Sequence, residues 1–243
     1  MKFRNQRVLV TGATAGIGQV TAKLFARRGA SVIISGRDGQ RGAQTVAVIE
    51  AEGGRAEFIA ADLNDIECVR RLAEQAGEVD VLVNNAATVT ADPTLDQDVE
   101  SFDAMFDVDV RAPFFLTAAL LPKMIARGSG AIVNISSMGA VVGVPFAPVA
   151  AATKAALESF TRSWAAAFGT NGIRVNTVAP GPTRTGGGAD ALNDGLEKLG
   201  SATLLGRTAD PSEIAEVIVF LASPQASYIT GATVEVDGGF TAI

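Results

Sequence analysis

RVLVTGATAGIGQV, residues 7–20, decides the fold. Val8, Leu9 and Val10 form an apolar, mostly β-branched run that suits a strand buried on both faces. Three glycines follow at once. Gly12 permits a tight turn, while Gly16 and Gly18 let backbone approach a diphosphate and let a helix pack closely against the strand. Thr14 and Ile17 lie between them as further candidate contacts. The helix that opens here offers free N–H groups and a partial positive charge to a phosphate. The spacing is GxxxGxG rather than GxGxxG. Its setting, strand then glycine turn then helix, points to a nucleotide phosphate.

Working outward, the same order repeats. Short apolar runs recur at 31–35 (SVIIS), 56–61 (AEFIAA), 80–85 (DVLVNN), 131–136 (AIVNIS), 173–179 (IRVNTVA) and 232–237 (ATVEVD). Between most of them apolar residues return at helical spacing, as in Leu157, Phe160, Trp164 and Phe168. Near-continuous apolar strands alternating with helices predict an α/β, Rossmann-type, doubly wound parallel sheet of seven strands with helices on both faces. No repeat or linker divides residues 1–243, so a single dinucleotide-binding and catalytic domain is expected. One connection, about 182–210, is longer than an ordinary loop.

Composition narrows the function. Twenty basic residues against 26 acidic ones give a net charge of −6, which argues against nucleic acid and anionic membrane surfaces as partners. The charge-free stretch 128–153 is broken by glycines and prolines and carries Asn134, Ser136 and Ser137, so it does not read as a membrane span. Histidine is absent, which removes histidine acid–base and histidine–metal chemistry, and no metal site is expected. The lone cysteine, Cys68, permits no internal disulfide, fits a cytoplasmic setting, and is expected as a small apolar filler early in a helix.

In a doubly wound sheet ligands bind beyond the carboxyl ends of the strands. The second strand ends at Ser35-Gly36-Arg37. A free ribose 2′-hydroxyl would call for an acidic residue there, whereas a guanidinium suits a 2′-phosphate. Arg37 therefore predicts NADP(H) in preference to NAD(H).

The chain resembles the short-chain dehydrogenase/reductase family over essentially its whole length. The resemblance rests on TGATAGIG at 11–18, Asp62 after the third strand, NNAA at 84–87, NISS at 134–137, Lys154, PGPTRT at 180–185 and VDGGF at 236–240. It implies that Asp62, with Leu63 beside it, meets the adenine. It also implies that Asn84 and Ala86 line the adenosine side, where Ala87 replaces a glycine. Pro180, Gly181, Thr183 and Thr185 would hold the nicotinamide, and Lys154 its ribose hydroxyls. In family members a serine positions the substrate oxygen, and a tyrosine, its pKa lowered by the lysine, moves the proton. An asparagine stands behind them. Ser137 and Lys154 occupy the serine and lysine positions. Four residues before Lys154, where the tyrosine belongs, stands Ala150; the asparagine position holds Asp109. Tyr228, the only tyrosine, lies near the C-terminus.

Two consequences follow for the site. Asp109 could pair with the Lys154 ammonium, and the space left at Ala150 is expected to admit a water held by Ser137 and Lys154. Met138, Val141, Val142, Val144 and Phe146 predict an apolar pocket wall, hence an apolar carbonyl or alcohol substrate. Gly186, Gly187 and Gly188 with Leu192, Leu196 and Leu199 suggest that 183–205 is a substrate lid. Relatives imply a homotetramer or homodimer. Three readings stay open: an NADP(H)-dependent oxidoreductase impaired or atypical in proton transfer, a non-catalytic nucleotide-binding protein of regulatory or scaffolding kind, and a competent enzyme whose tyrosine has been exchanged for alanine.

Overall fold

Each apolar run becomes a strand: β1 (Arg7–Thr11), β2 (Ser31–Gly36), β3 (Arg55–Ala60), β4 (Val81–Asn84), β5 (Gly130–Ile135), β6 (Ile173–Pro180) and β7 (Thr233–Val236). The structure, a computed structural model, describes residues 3–185 and 190–242, without the side chains of 190–194. The strands are parallel throughout and lie in the order β3-β2-β1-β4-β5-β6-β7. Chain direction across the sheet reverses between β1 and β4. That reversal opens a crevice at their carboxyl ends.

Side-chain alternation divides the apolar strands into two cores. Val8, Val10, Val32, Ile34, Val81 and Val83 face one way, against α1 (Gly16–Arg27) and α8 (Pro211–Ala222). Leu9, Ile33, Leu82, Ile132 and Val175 face the other, against α3 (Ile66–Ala76), α5 (Ala112–Arg127) and α6 (Pro148–Phe168). Period-two alternation in runs that are apolar on both parities allows only this double covering.

Three local devices set up the site. Helix α2 (Gly39–Ala51) starts where the Asp38 side chain accepts a hydrogen bond from the Arg41 N–H, just beyond β2. Helix α4 (Val99–Phe106) does not run straight into α5. A π-helical turn, Asp107–Arg111, intervenes and directs Asp109 into the interior, where it is fully buried. The long connection after β6 contains α7 (Asp190–Ser201).

Cys68 departs from expectation. It is half-buried and hydrogen-bonded rather than packed as apolar filler: its thiol donates to Asp65 and its sulfur accepts from Arg71. Asp65 caps α3, so the polar cap draws the thiol outward. Tyr228 is wholly exposed, so it lines neither cavity described below.

Candidate functional site

The phosphate loop is held by close contact between backbones. A Cβ at Gly12, whose φ is +62°, would meet Ala86 Cα at 2.7 Å, and one at Gly18 would meet Gly12 O at 2.5 Å. Asn85 ties the loop to β4: its amide donates to the carbonyls of Thr11 (2.9 Å) and Gly12 (3.2 Å), and its N–H donates to Thr11 Oγ1 (3.0 Å). Gly16 faces Thr185, whose Cβ would lie 3.2 Å from an added Cβ. The loop thus touches the segment after β6.

Two cavities share this loop as a wall, both bordered by Gly12, Ala15, Ala86 and Ala87. The first, about 200 Å³, runs over the ends of β2 and β3. Arg37, Asp62, Leu63 and Thr14 border it, and so do Asp38 and Arg41. A Cβ at Gly36 would meet the Thr14 methyl at 2.8 Å, so glycine is what lets the loop lie against β2. Arg37 is exposed and makes no ion pair among the described residues, whereas Arg41 Nε lies 2.6 Å from Asp38 Oδ2. Asp62 accepts from both the N–H and the amide of Asn64.

The second cavity, about 590 Å³, runs over the ends of β4, β5 and β6. Gly16, Ile17, Gly18, Pro180, Gly181, Thr183 and Thr185 line it, with Ser137 and Lys154 on the opposite wall. Val89, Met138, Leu196 and Leu199 make part of its surface apolar. Lys154 is the only titratable residue lining it among the described residues. Gly186, Gly187, Gly188 and the Leu192 side chain lie outside the described residues.

Behind that wall, Lys154 Nζ lies 2.9 Å from Asp109 Oδ2, the lysine almost fully buried and the aspartate completely so. Asp109 Oδ1 accepts from the Thr88 N–H at 2.8 Å. The Thr153 hydroxyl donates to Ala150 O at 2.8 Å and stands 3.4 Å from Asp109 Oδ2. The pairing expected from sequence is therefore formed, and both carboxylate oxygens have partners.

One expectation needs correction. Asn84 does not line either of these cavities: it is buried, and its amide donates to Asn134 (2.9 Å) and Thr117 (3.3 Å). Asn84 pairs in register with Asn134, and Asn134 with Thr177, so three adjacent strands carry polar side chains at one level beneath the site. Ala150 is buried in an apolar cluster with Met105 and Ala147, flanked by Val144 and Val149, and is not among the residues that line the cavity; Ser137 and Lys154, the partners expected for a water there, do line it.

Sequence reasoning missed Arg41, Asn85, Thr88 and Glu158. Glu158 is buried one turn beyond Lys154 on α6 and accepts from the Ser136 hydroxyl at 2.7 Å, fixing the strand end that precedes Ser137. The second asparagine of NNAA was the only signal for Asn85.

The glycine cradle and the two cavities that meet at it fit a dinucleotide. Similarity to known proteins agrees. Residues 12–241 match the family model described as enoyl-(acyl carrier protein) reductase. Cyclopentanol dehydrogenase of Comamonas sp. (strain NCIMB 9872) is 37% identical over 247 residues, covering 99% of each chain. A solved structure described as a short chain dehydrogenase/reductase family protein is 51% identical, with a TM-score of 0.94 and 100% of both chains covered. A candidate NAD(P)-dependent gluconate 5-dehydrogenase from Beutenbergia cavernae, with bound NADP at low occupancy, is 34% identical with a TM-score of 0.95, covering 100% of this chain and 99% of that one. By fold, by site architecture and by likeness along its whole length, the chain belongs to the short-chain dehydrogenase/reductase family of hydride-transferring oxidoreductases.

Proposed function

We propose that the protein is an NADP(H)-dependent oxidoreductase acting on an apolar ketone or secondary alcohol, atypical in proton transfer because Ala150 stands where a tyrosine would act. The observation that carries this reading is the pair of cavities meeting at the phosphate loop, with Arg37 at one end and Ser137 and Lys154 at the other. Arg37, free of an ion pair among the described residues, can give its guanidinium to a 2′-phosphate. Asp62 with Leu63 would meet the adenine. Pro180, Gly181, Thr183 and Thr185 would hold the nicotinamide, and Lys154 its ribose.

A bound nicotinamide supplies or accepts the hydride. The Ser137 hydroxyl orients the substrate oxygen, and Val89, Met138, Leu196 and Leu199 favour an apolar substrate and exclude water. The last two residues belong to the 183–205 segment, which in this reading acts as the substrate lid. The Lys154 ammonium stands on the wall beside Ser137, 2.9 Å from Asp109 Oδ2, and Ala150 offers no hydroxyl to pass a proton, so turnover is slow. The relative named for cyclopentanol supports a cyclic or branched secondary alcohol as first choice. The exposed rings of Phe114 and Phe115, with Phe114 packed against Phe160 and Trp164, support assembly into a homodimer or homotetramer through α5 and α6. A single cysteine supports a cytoplasmic location; among the described residues no helix is long and apolar enough to cross a membrane.

A second reading, a non-catalytic NADP(H)-binding protein, is favoured by one observation: the position where the proton donor would stand is an alanine packed among apolar side chains. One experiment separates the two. NADPH oxidation is assayed against cyclopentanone and other apolar ketones for the parent chain and for Ala150→Tyr. Recovery of a general acid is expected to raise the rate about 10²–10⁴-fold. If neither chain turns over while both bind NADPH, the non-catalytic reading stands.

A further inference from the structure

Asp109 and Lys154 make a fully internal charge pair on the wall of the ring-side cavity, and no other titratable residue lines that cavity among the described residues. The pair is electrically neutral. An asparagine in the same place could still accept the Thr88 N–H through its oxygen, but its NH2 would then face the ammonium and leave Lys154 unpartnered. The wall would carry a full positive charge. The buried setting makes that difference felt, because water screens little of it.

The ring that enters this cavity changes charge during the reaction. Oxidised nicotinamide is a cation, reduced nicotinamide is neutral, and the rest of the dinucleotide is the same in both. We infer that Asp109 sets the redox preference of the site: by cancelling the Lys154 charge it removes a repulsion against the oxidised ring, so the protein binds NADP⁺ about as readily as NADPH. The inference rests on the nicotinamide reading of this cavity, and it concerns binding alone. It holds whether or not the chain turns over a substrate.

The consequence is a ladder of wall charge. Asp109→Asn leaves the wall at plus one and is expected to weaken NADP⁺ relative to NADPH by on the order of tenfold, the size of a unit-charge interaction across roughly 10 Å of partly screened protein. The double variant Asp109→Asn with Lys154→Met removes both charges. It is expected to return the NADPH/NADP⁺ affinity ratio to the parent value even if both affinities fall. Lys154→Met alone, leaving the aspartate, is expected to move the ratio toward NADP⁺, and it carries the test should Asp109→Asn not fold.

The measurement is calorimetric titration of the parent chain and the three variants with NADPH and with NADP⁺, each variant first shown folded by circular dichroism. A ratio that moves in opposite directions for the two single variants and returns in the double supports the inference. A purely structural role for Asp109 would weaken both forms equally, and an unchanged ratio in the folded variants overturns the inference while leaving the cofactor assignment intact. Failure of the parent chain to bind either form overturns both.

Discussion

The phosphate loop and the corner around Lys154 lie on opposite walls of one cavity and are built to opposite tolerances. At the loop nothing can be added: a single carbon at Gly18 would lie 2.3 Å from Asn85 Nδ2 and 2.5 Å from Gly12 O. At the corner nothing charged can be taken away: Asp109 is fully buried and every oxygen of its carboxylate has a partner. The loop is held by the closeness of backbones, the corner by a buried electrostatic pair. Between them Ala150 belongs to neither scheme, being a small side chain in an apolar cluster. The site therefore joins a wall that admits no further atom to one that holds a buried charge pair.

Removing the corner's carboxylate should do the most damage. Asp109→Ala strands a buried ammonium, which typically costs about 3–5 kcal/mol. The expected result is a large fall in Tm, measured by thermal unfolding without cofactor. A loss below about 1 kcal/mol would mean that water reaches Lys154 and that the corner is not dry. The loop should respond less in stability and more in binding. Gly18→Ala is expected to cost about 1–3 kcal/mol from the forced contacts, and to lower NADPH affinity by up to about 100-fold. If the variant bound NADPH normally, the loop would have slack that its close contacts do not suggest.

How much of this was legible in the sequence follows the same division. All seven strands and the glycine turn could be read, because an apolar run bounded by glycine leaves few alternatives. Ser137 and Lys154 were legible only through the family resemblance, by their places in NISS and on the helix that follows. The direction of Asn84 was misread, although strand parity held the answer. Asn84 shares parity with Leu82, which faces α3 and α5 rather than the crevice. The π-helical turn that carries Asp109 inward has no sequence signature, so the contact with Lys154 could be expected only as a pairing of types. The packing of Ala150 against Met105 was out of reach, because Met105 arrives from α4, far away in the chain. Arg41 was missed because its place depends on where α2 begins, which the Asp38 cap decides.

The adenosine side repeats the contrast on a smaller scale, between an arginine without an ion pair among the described residues and one already engaged. Arg37→Asp exchanges an available guanidinium for a carboxylate beside the 2′-phosphate position, and should weaken NADPH at least tenfold while leaving NADH little changed. An equal effect on both cofactors would remove Arg37 from 2′-phosphate recognition and with it the preference for NADP(H).

Arg41 should matter least. Its Nε is 2.6 Å from Asp38 Oδ2, and that carboxylate also accepts the Arg41 N–H to cap α2. The Asp38 carboxyl is held below its ordinary range, first by the hydrogen bond from the Arg41 backbone and then by that from its side chain. The pair is exposed, so the energy stored in it is small and salt-sensitive. A 2′-phosphate would have to share Arg41 with Asp38, which limits what the second arginine can give. Arg41→Ala is accordingly expected to weaken NADPH only about two- to fivefold, with the difference shrinking as ionic strength rises. Titrations of the variant at low and high salt test this. A loss as large as that of Arg37→Asp would show that the phosphate draws Arg41 away from the helix cap, and that both arginines read the cofactor together.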